Sequence, residues 1–394
     1  MSQSVVSYLW REPNAAKAFR TGVSLHSHTS HSKETLDFIA DLSAEWKFLP
    51  PIMRWLEERS HRCSGIRPDY HNSYWTPPLT PRLAYDLESN QIQNSLQLPA
   101  LVSITDHDDI GAPLLLNSIL TTDHTPISVE WTVPFADGAF HIGVHNLPRS
   151  SATQWMERLA AYTAAATAGQ QQRNAQKTLS AIFADLHALP QVLIIFNHPL
   201  WDLYRVGKER HYVLVNDFLV RYGQHIHALE LNGLRDWNEN RELSELAERW
   251  NQLTISGGDR HGIEPNANIN LTSATTFDEF VHEVRRDRRS HVLFMPQYAE
   301  PWKHRILQST LDAIRNHPDF PVGSQRWDER VYHPDAKGNI APLSQLWNDG
   351  TSPVYITAIL AMVRLLGRGP ISRGLRLAWD DSAEMHAILA KLDA

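Results

Sequence analysis

The sequence predicts an α/β fold in which buried strands alternate with amphipathic helices. Short apolar runs of β type recur along the chain and are bounded by Gly, Pro, Asn or Asp, as buried strands usually are. Patterns with helical spacing separate several of these runs. Together these two observations favour either an α/β barrel or a layered sheet.

The predicted strands share a third feature, because most of them contain or end in histidine, aspartate or glutamate. In barrels, active sites form at the carboxyl ends of the strands, so this placement predicts one shared site. The runs, in chain order, are TGVSLHSH (21–28), ALVSITDHDD (100–109), PISVEW (126–131), AFHIGVHNL (139–147), VLIIFNHP (192–199), IHALELNG (226–233) and LTISGGDRHG (253–262).

Helical patterns lie between these strands. The segment 80–96 begins with Thr80 and Pro81, a capping residue followed by a favoured first helical residue, and then spaces its apolar residues at helical intervals. The segment 152–189 predicts one long helix or two shorter ones. Two further amphipathic segments, 240–252 and 276–289, are also predicted to be helical.

Two parts of the chain depart from this alternation. Residues from about 40 to 78 are rich in Pro, Tyr, Trp and Arg without clear periodicity, which predicts an inserted loop, a candidate lid. After residue 300 no strand-end ligand follows, and three helical patterns occur, at 307–318, 355–367 and 382–394. We therefore expect one main domain over 1–299 and a helical C-terminal extension over 300–394.

Composition narrows the functional classes. The net charge of -7 argues against a broad surface for nucleic acid or acidic membranes. A single cysteine, Cys63, excludes an intramolecular disulfide framework and a thiolate zinc site. We see no signal-peptide pattern and no apolar stretch approaching the roughly 20 residues that span a bilayer, so the expectation is a soluble cytoplasmic protein.

Pairs of histidine and carboxylate residues predict a metal site. His26 and His28 are separated by one residue, so on a strand both imidazoles face the same side. Asp259 and His261 repeat this spacing at the end of a later strand. Imidazole and carboxylate ligands suit zinc, manganese or iron, and the number of candidates exceeds the need of one tetrahedral ion. Two or three divalent ions are therefore expected.

These motifs together resemble the PHP family, named for polymerase and histidinol phosphatase. The resemblance covers residues 21 to about 295 and is carried by LHSHT (25–29), ITDHDDIG (104–111), Glu130, His141, NHP (197–199) and SGGDRHG (256–262). It implies a distorted (β/α)7 barrel, a variant of the TIM barrel, with a site for two or three metal ions. It also implies hydrolysis of phosphate esters.

The resemblance implies a role for each ligand. One ion is held by four residues, of which Glu130 also bridges to a second ion. The ligands implied for the first ion are His26, His28, Glu130 and Asp259, and those for the second are Glu130, His141 and His198. The third ion is held by His107 and His261.

The third ion usually has one more ligand, an aspartate, at the position where this sequence has Lys33. Glu34, one residue later, is a candidate substitute, and His31 is the other. Asp106 or His107 is expected to assist proton transfer to the leaving oxygen. An equally supported interpretation of Asp106 is a carboxylate that orients a metal ligand.

The sequence thus predicts a metal-dependent phosphoesterase that attacks a small phosphomonoester or nucleotide with a metal-activated water. One alternative is a phosphodiesterase or exonuclease acting on nucleic acid, against which the acidic net charge counts. Another is a catalytically weak binding or assembly module, which Lys33 favours. The retained Glu130, Asp259 and His261 disfavour it, because buried like charges are costly without metal. A small phosphorylated substrate is the expected partner.

Overall fold

The structure is a computed structural model. It describes residues 3–36, 49–64, 68–120, 125–167, 172–321, 323, 325–335, 337–347 and 350–379. The strands in these ranges are β1 (Gln3–Tyr8), β2 (Thr21–Ser24), β3 (Glu34–Thr35), β4 (Tyr74–Trp75), β5 (Ala100–Val102), β6 (Val129–Phe135), β7 (Gly138–His145), β8 (Leu193–Asn197), β9 (Ala228–Asn232), β10 (Leu253–Gly257), β11 (Asn268–Thr272), β12 (Arg289–Phe294), β13 (Val331–Pro334) and β14 (Ile340–Pro342).

Helices follow most of the central strands. They are α1 (Leu49–Ser64), α2 (Pro81–Leu96), α3 (Gly111–Ile119), α4 (Ala152–Thr167), α5 (Gln172–Ala188), α6 (Lys208–Tyr222), α7 (Trp237–Arg249), α8 (Phe277–Arg285), α9 (Trp302–Ala313), α10 (Leu343–Leu346), α11 (Val354–Leu366) and α12 (Gly369–Ala378). Short 3-10 helices occupy Ala15–Ala18, Pro296–Ala299 and Trp327–Glu329. The predicted alternation of strands and helices is therefore present.

The strands of the described residues form three sheets. The first has the order β1-β12-β11-β2-β5, the second β10-β9-β8-β7-β6, and the third β14-β13-β4-β3. In the second sheet β8, β9 and β10 are parallel, whereas β6, β7 and β8 are antiparallel neighbours. In the first sheet β11 runs antiparallel to both β12 and β2.

The predicted (β/α)7 barrel is not confirmed, because none of these sheets closes on itself. A regular barrel needs parallel strands joined by crossover helices. Here β6 and β7 form a hairpin instead, and β11 reverses direction between β2 and β12. Between the first two sheets, isolated bridges join Ser27 to Arg260 and His107 to Glu130. Both bridges lie among the candidate site residues.

Helix ends follow the sequence signals. The side-chain oxygen of Thr80 accepts a hydrogen bond from the Leu83 N–H at the start of α2, which confirms the predicted cap. Thr276 and Glu279 form a reciprocal capping box at the start of α8. The segment predicted as one long or two shorter helices contains α4 and α5 within its described residues.

The two segments outside the alternation differ from their predictions. Within 40–78, residues 49–64 are helical (α1) and Tyr74–Trp75 is a strand, although the sequence suggested an irregular loop. The C-terminal part contains β13 and β14 besides helices, so it is not purely helical. The helix predicted over 382–394 lies outside the described residues.

The described C-terminal residues are joined closely to the rest of the chain. Strand β13 pairs with β4, which in turn pairs with β3, so Glu34 belongs to a sheet completed from residues after 330. The Trp302 Nε1–H donates to the Leu234 carbonyl at 2.8 Å, and Arg305 donates to the Arg235 carbonyl at 2.9 Å. These contacts fix α9 against the loop that follows β9.

In the described part of the chain, no single helix has both the length and the apolar character needed to cross a bilayer. The pair α11 and α12, bent by 70°, meets that test only when its two helices are taken together, on length and composition alone.

Candidate metal centre

The structure brings the predicted metal ligands into one buried cluster, here called the metal centre. Its members come from three strands, β3, β6 and β7, and from the segments that follow β2, β5, β8 and β10. They are His26, His28, Glu34, His107, Glu130, His141, His198, Asp259 and His261. All are buried except His107 and His261, whose side chains are 14% and 13% exposed.

Glu130 lies between two groups of histidines. Its Oε2 is 3.0 Å from Nε2 of His26 and 3.2 Å from Nδ1 of His107. Its Oε1 is 3.0 Å from Nε2 of His198 and 3.3 Å from Nδ1 of His141. The two oxygens of one carboxylate therefore face different ligand sets, as a bridging carboxylate requires.

His26 and His28 extend past β2 on the same face, as their spacing predicts. Their Nε2 atoms are 3.0 Å apart, and both lie near Asp259 Oδ1, at 3.6 Å and 3.4 Å. The His28 backbone N–H donates to the Arg260 carbonyl at 2.8 Å, which ties the first motif to the last. The two imidazoles therefore converge, as the i, i+2 spacing of His26 and His28 predicts.

Glu230, which the sequence places within the predicted strand 226–233, lies directly behind the metal centre. Its Oε2 lies 2.8 Å from Nδ1 of His26, and its Oε1 accepts from Asn232 at 2.6 Å. A carboxylate on the far nitrogen of a ligating histidine fixes the ring and its tautomer. The available signal was a carboxylate within an otherwise apolar strand, β9.

The structure distinguishes between the two candidates for the additional ligand. Glu34 Oε2 lies 3.1 Å from Nε2 of His107 and 3.1 Å from Nε2 of His261. His31 instead points to Asp109, at 3.6 Å, and its side chain is 36% exposed. Glu34 therefore belongs to the metal centre, whereas His31 lies beside it.

The two residues expected to transfer a proton have other contacts. Both carboxylate oxygens of Asp106 accept from Thr29, at 2.5 Å from the backbone N–H and 2.7 Å from the hydroxyl. Burial raises the pKa of Asp106 to about 7, although the bonds from Thr29 oppose this shift. Both ring nitrogens of His107 face carboxylates of the centre. These contacts favour an orienting role for Asp106, whereas they place His107 among the candidate metal ligands.

The backbone is in unfavourable conformations at two of the ligands. His198 has a φ of 26° and Asp259 a φ of 53°, in a region that side chains other than glycine rarely adopt. Such strain persists only where the surrounding structure imposes it, and it clusters at functional sites.

The electrostatics of the centre depend on burial and on close opposite charges. Burial alone would raise the pKa of Glu130, but His26, His107 and His141 hold it well below its usual value. Burial alone would lower the pKa of His26, but Glu130, Glu230 and Asp259 raise it well above its usual value. Glu130 is thus held ionised in the interior, where isolated charge is costly.

The donor set fits divalent cations. Four groups of three donor atoms lie within 4.8 Å of one another: His26, His28 and Asp259; His26, Glu130 and His198; His28, His107 and Glu130; and His28, Glu34 and His261. His141 lies outside these groups, yet its buried Nδ1 has no hydrogen-bond partner. Nitrogen and oxygen donors of this kind suit zinc, manganese or iron.

Most residues of the metal centre line a cavity of about 1550 Å³, here called the chamber. Lys33, Trp201 and Arg235 form part of the wall near the ligands. The Arg235 guanidinium stacks on the Trp201 ring at 4.2 Å, and that ring lies 5.0 Å from His198. Arg260, in contrast, is buried, with Nη1 3.3 Å from Glu88 Oε1.

No family model matches the chain, and no curated protein matches it. Two solved structures are similar to part of it. One is an amidohydrolase from Chromobacterium violaceum with bound sulfate and no metal. The two sequences are 16% identical, the match covers 48% of this chain and 84% of the amidohydrolase chain, and the TM-score is 0.29. The other is a proposed metal-dependent phosphoesterase from Bifidobacterium adolescentis. The two sequences are 18% identical, the match covers 53% of this chain and 91% of the phosphoesterase chain, and the TM-score is 0.28. Scores this low establish neither fold nor function.

Proposed function

We propose that the chain is a metal-dependent hydrolase, and more specifically a phosphoesterase that cleaves a phosphomonoester or nucleotide. One observation carries the proposal: buried imidazole and carboxylate donors converge at the wall of a cavity large enough for a substrate. The resemblance of the sequence motifs to the PHP family supplies the phosphate ester as the expected bond.

Each ligand group would have a distinct task. His26, His28 and Asp259 would hold one divalent ion, and Glu130 with His198 would hold a second with His141 nearby. Divalent ions in such a pair lower the pKa of a bound water and offset negative charge on a phosphoryl oxygen.

The surrounding residues orient the ligands. Glu230 holds the ring of His26 from behind, and the Asn197 side-chain amide donates to Glu130 Oε1 at 2.9 Å. With both contacts in place the bridging carboxylate and the imidazole have little rotational freedom, which keeps the donors converged.

Positive charge at the wall would orient the substrate. Arg235 and Lys33 both line the chamber, and Arg235 is held against Trp201. A guanidinium binds phosphate oxygens in a fixed planar geometry. Arg235 stacks on Trp201, and the Trp201 ring lies 6.0 Å from the His141 ring and 5.0 Å from the His198 ring. We therefore assign Arg235 to binding the substrate phosphate.

The alternatives receive less support. The net charge of -7 counts against binding of a long polyanionic nucleic acid strand. A module without activity would have no need to keep Glu34, Glu130 and Asp259 ionised in the interior.

We expect freshly purified protein to contain two or three equivalents of transition metal and to hydrolyse p-nitrophenyl phosphate. A chelator should abolish the activity and added Zn²⁺ or Mn²⁺ should restore it, since the activating charge comes from the ions. Mass spectrometry of the metal and turnover before and after chelation check this. Full activity in protein shown to be metal-free would refute the proposal, and preference for bis-p-nitrophenyl phosphate would indicate a phosphodiesterase.

The number of ions depends on Glu34 in this proposal. We expect Glu34→Gln to lose about one metal equivalent, because its oxygen faces both His107 and His261. His31→Asn should keep the full content, because His31 contacts Asp109 instead. Metal analysis of both variants after dialysis checks this. Loss of metal in His31→Asn but not in Glu34→Gln would reverse the assignment.

A further inference from the structure

The chamber is much larger than a phosphate group requires. Its volume of about 1550 Å³ exceeds the roughly 300–1,000 Å³ usual for pockets that bind small ligands. The metal centre forms part of its wall. The remaining volume is large enough for a further part of a substrate.

The chemistry of the wall changes along the chamber. Near the metal centre it carries charges of both signs, such as Lys33, Asp202 and Arg235. Another part of the wall comes from α9, α10 and α11 and presents Ile306, Ile314, Leu346 and Leu360. Among the described residues 302–360 that line the chamber, none is Lys, Arg, Asp or Glu, and the polar ones are His333, Tyr355 and a few Ser and Thr hydroxyls. A second phosphate would find no cationic lysine or arginine there.

This apolar wall is held in place relative to the metal centre. The side chains of Trp302 and Arg305 on α9 donate to the backbone carbonyls of Leu234 and Arg235, respectively. The side chain of Arg235 itself lines the chamber. Strand β13 belongs to the same sheet as β3, which carries Glu34. The polar end and the apolar wall are thus parts of one preformed cavity.

We propose that the substrate is a phosphate ester of a large apolar alcohol, with its phosphate at the metal centre and its apolar part against α9–α11. The reaction in this inference rests on the proposed function. The apolar character of the leaving group is inferred from the residues that line the chamber. Water attacks phosphorus and the ester P–O bond breaks, which yields inorganic phosphate and the free alcohol, whose oxygen takes one proton of the water. Burying an apolar group on an apolar wall provides the affinity.

Binding can be measured without turnover. Alkylphosphonates cannot be hydrolysed at the P–C bond, so calorimetry on the metal-loaded protein with chains from ethyl to dodecyl isolates recognition. We expect affinity to rise about two- to fourfold for each added methylene until the chamber is filled. Affinity independent of chain length would overturn the inference. A naphthylphosphonate that binds when alkyl chains do not would assign the wall to aromatic rather than aliphatic groups.

Variants locate the effect. Ile306→Asp and Leu346→Asp place a charge in the apolar wall from two separate helices, so misfolding of one variant leaves the other as a test. Each should weaken dodecylphosphonate binding about tenfold or more and change ethylphosphonate binding little. Met362→Asp on α11 is the control, since Met362 is 48% exposed and outside the lining. Equal losses in all three variants would contradict the assigned wall.

Hydrolysis separates the two proposals. Release of phosphate from dodecyl phosphate in preference to ethyl phosphate supports both. Chain-length-dependent binding without any hydrolysis would sustain the apolar wall and refute the phosphoesterase. Efficient hydrolysis of sugar phosphates or nucleotides with no gain from alkyl chains would sustain the phosphoesterase and overturn the apolar substrate.

Discussion

Glu130→Gln is expected to reduce kcat for phosphate ester hydrolysis by about 10³-fold or more while the protein stays folded. The substitution keeps the shape of the side chain and removes the charge that faces His26, His107 and His198. Glutamine can offer only one oxygen, so the two halves of the metal centre lose their shared ligand. Steady-state kinetics and metal content, measured on the same preparation, check both consequences.

The control for this variant is Glu245→Gln, which makes the same chemical change at an exposed position of α7. It should leave kcat and metal content unchanged. If Glu130→Gln retained wild-type kcat with its full metal content, Glu130 could not be the bridging ligand. A loss of kcat without loss of metal would instead indicate that its charge acts on the reacting groups.

Local spacing was enough to predict how several ligands converge. The i, i+2 rule placed His26 and His28 on one face of the chain, and the structure has their Nε2 atoms 3.0 Å apart. The rule that sites form at strand ends brought His198 and Asp259 into the same prediction. Both arguments depend only on backbone geometry within a few residues.

Orienting contacts could not be predicted in this way. Glu230 is 204 residues from His26 in the chain, and only the packing of β9 beside β8 and β10 brings it behind that imidazole. The choice between Glu34 and His31 likewise depends on β3, a two-residue strand held by β4. Strands this short leave no periodic signal in the sequence.

The closed barrel was an expectation from the resemblance, whereas the residues alone allowed a layered sheet as well. Apolar runs look alike in parallel and antiparallel strands. The sequence therefore could not predict the hairpin of β6 and β7 or the reversed direction of β11. The strand β13 pairs across more than 250 residues with β4. Such distant pairings are set by tertiary packing and not by local propensity.

Phe218→Ala is expected to lower the free energy of unfolding by about 3–5 kcal/mol. Phe218 is fully buried on α6, and its ring centroid lies 4.9 Å from Phe140 and 5.1 Å from Phe196. The cavity left by the missing ring lies directly behind the strands that carry His141 and His198. We therefore expect the loss of stability to come with weaker metal retention. Urea unfolding of the two proteins under the same metal conditions measures the first effect, and metal analysis after dialysis the second.

Val220→Ala on the same helix is the matched control, because Val220 is 70% exposed and its truncation removes little buried surface. It should shift the urea midpoint only slightly. A loss below about 1 kcal/mol for Phe218→Ala would mean that the core around β7 and β8 closes over the missing ring. In that case the aromatic cluster would not be what holds the two histidines in position, and their placement would depend on the strained backbone at His198.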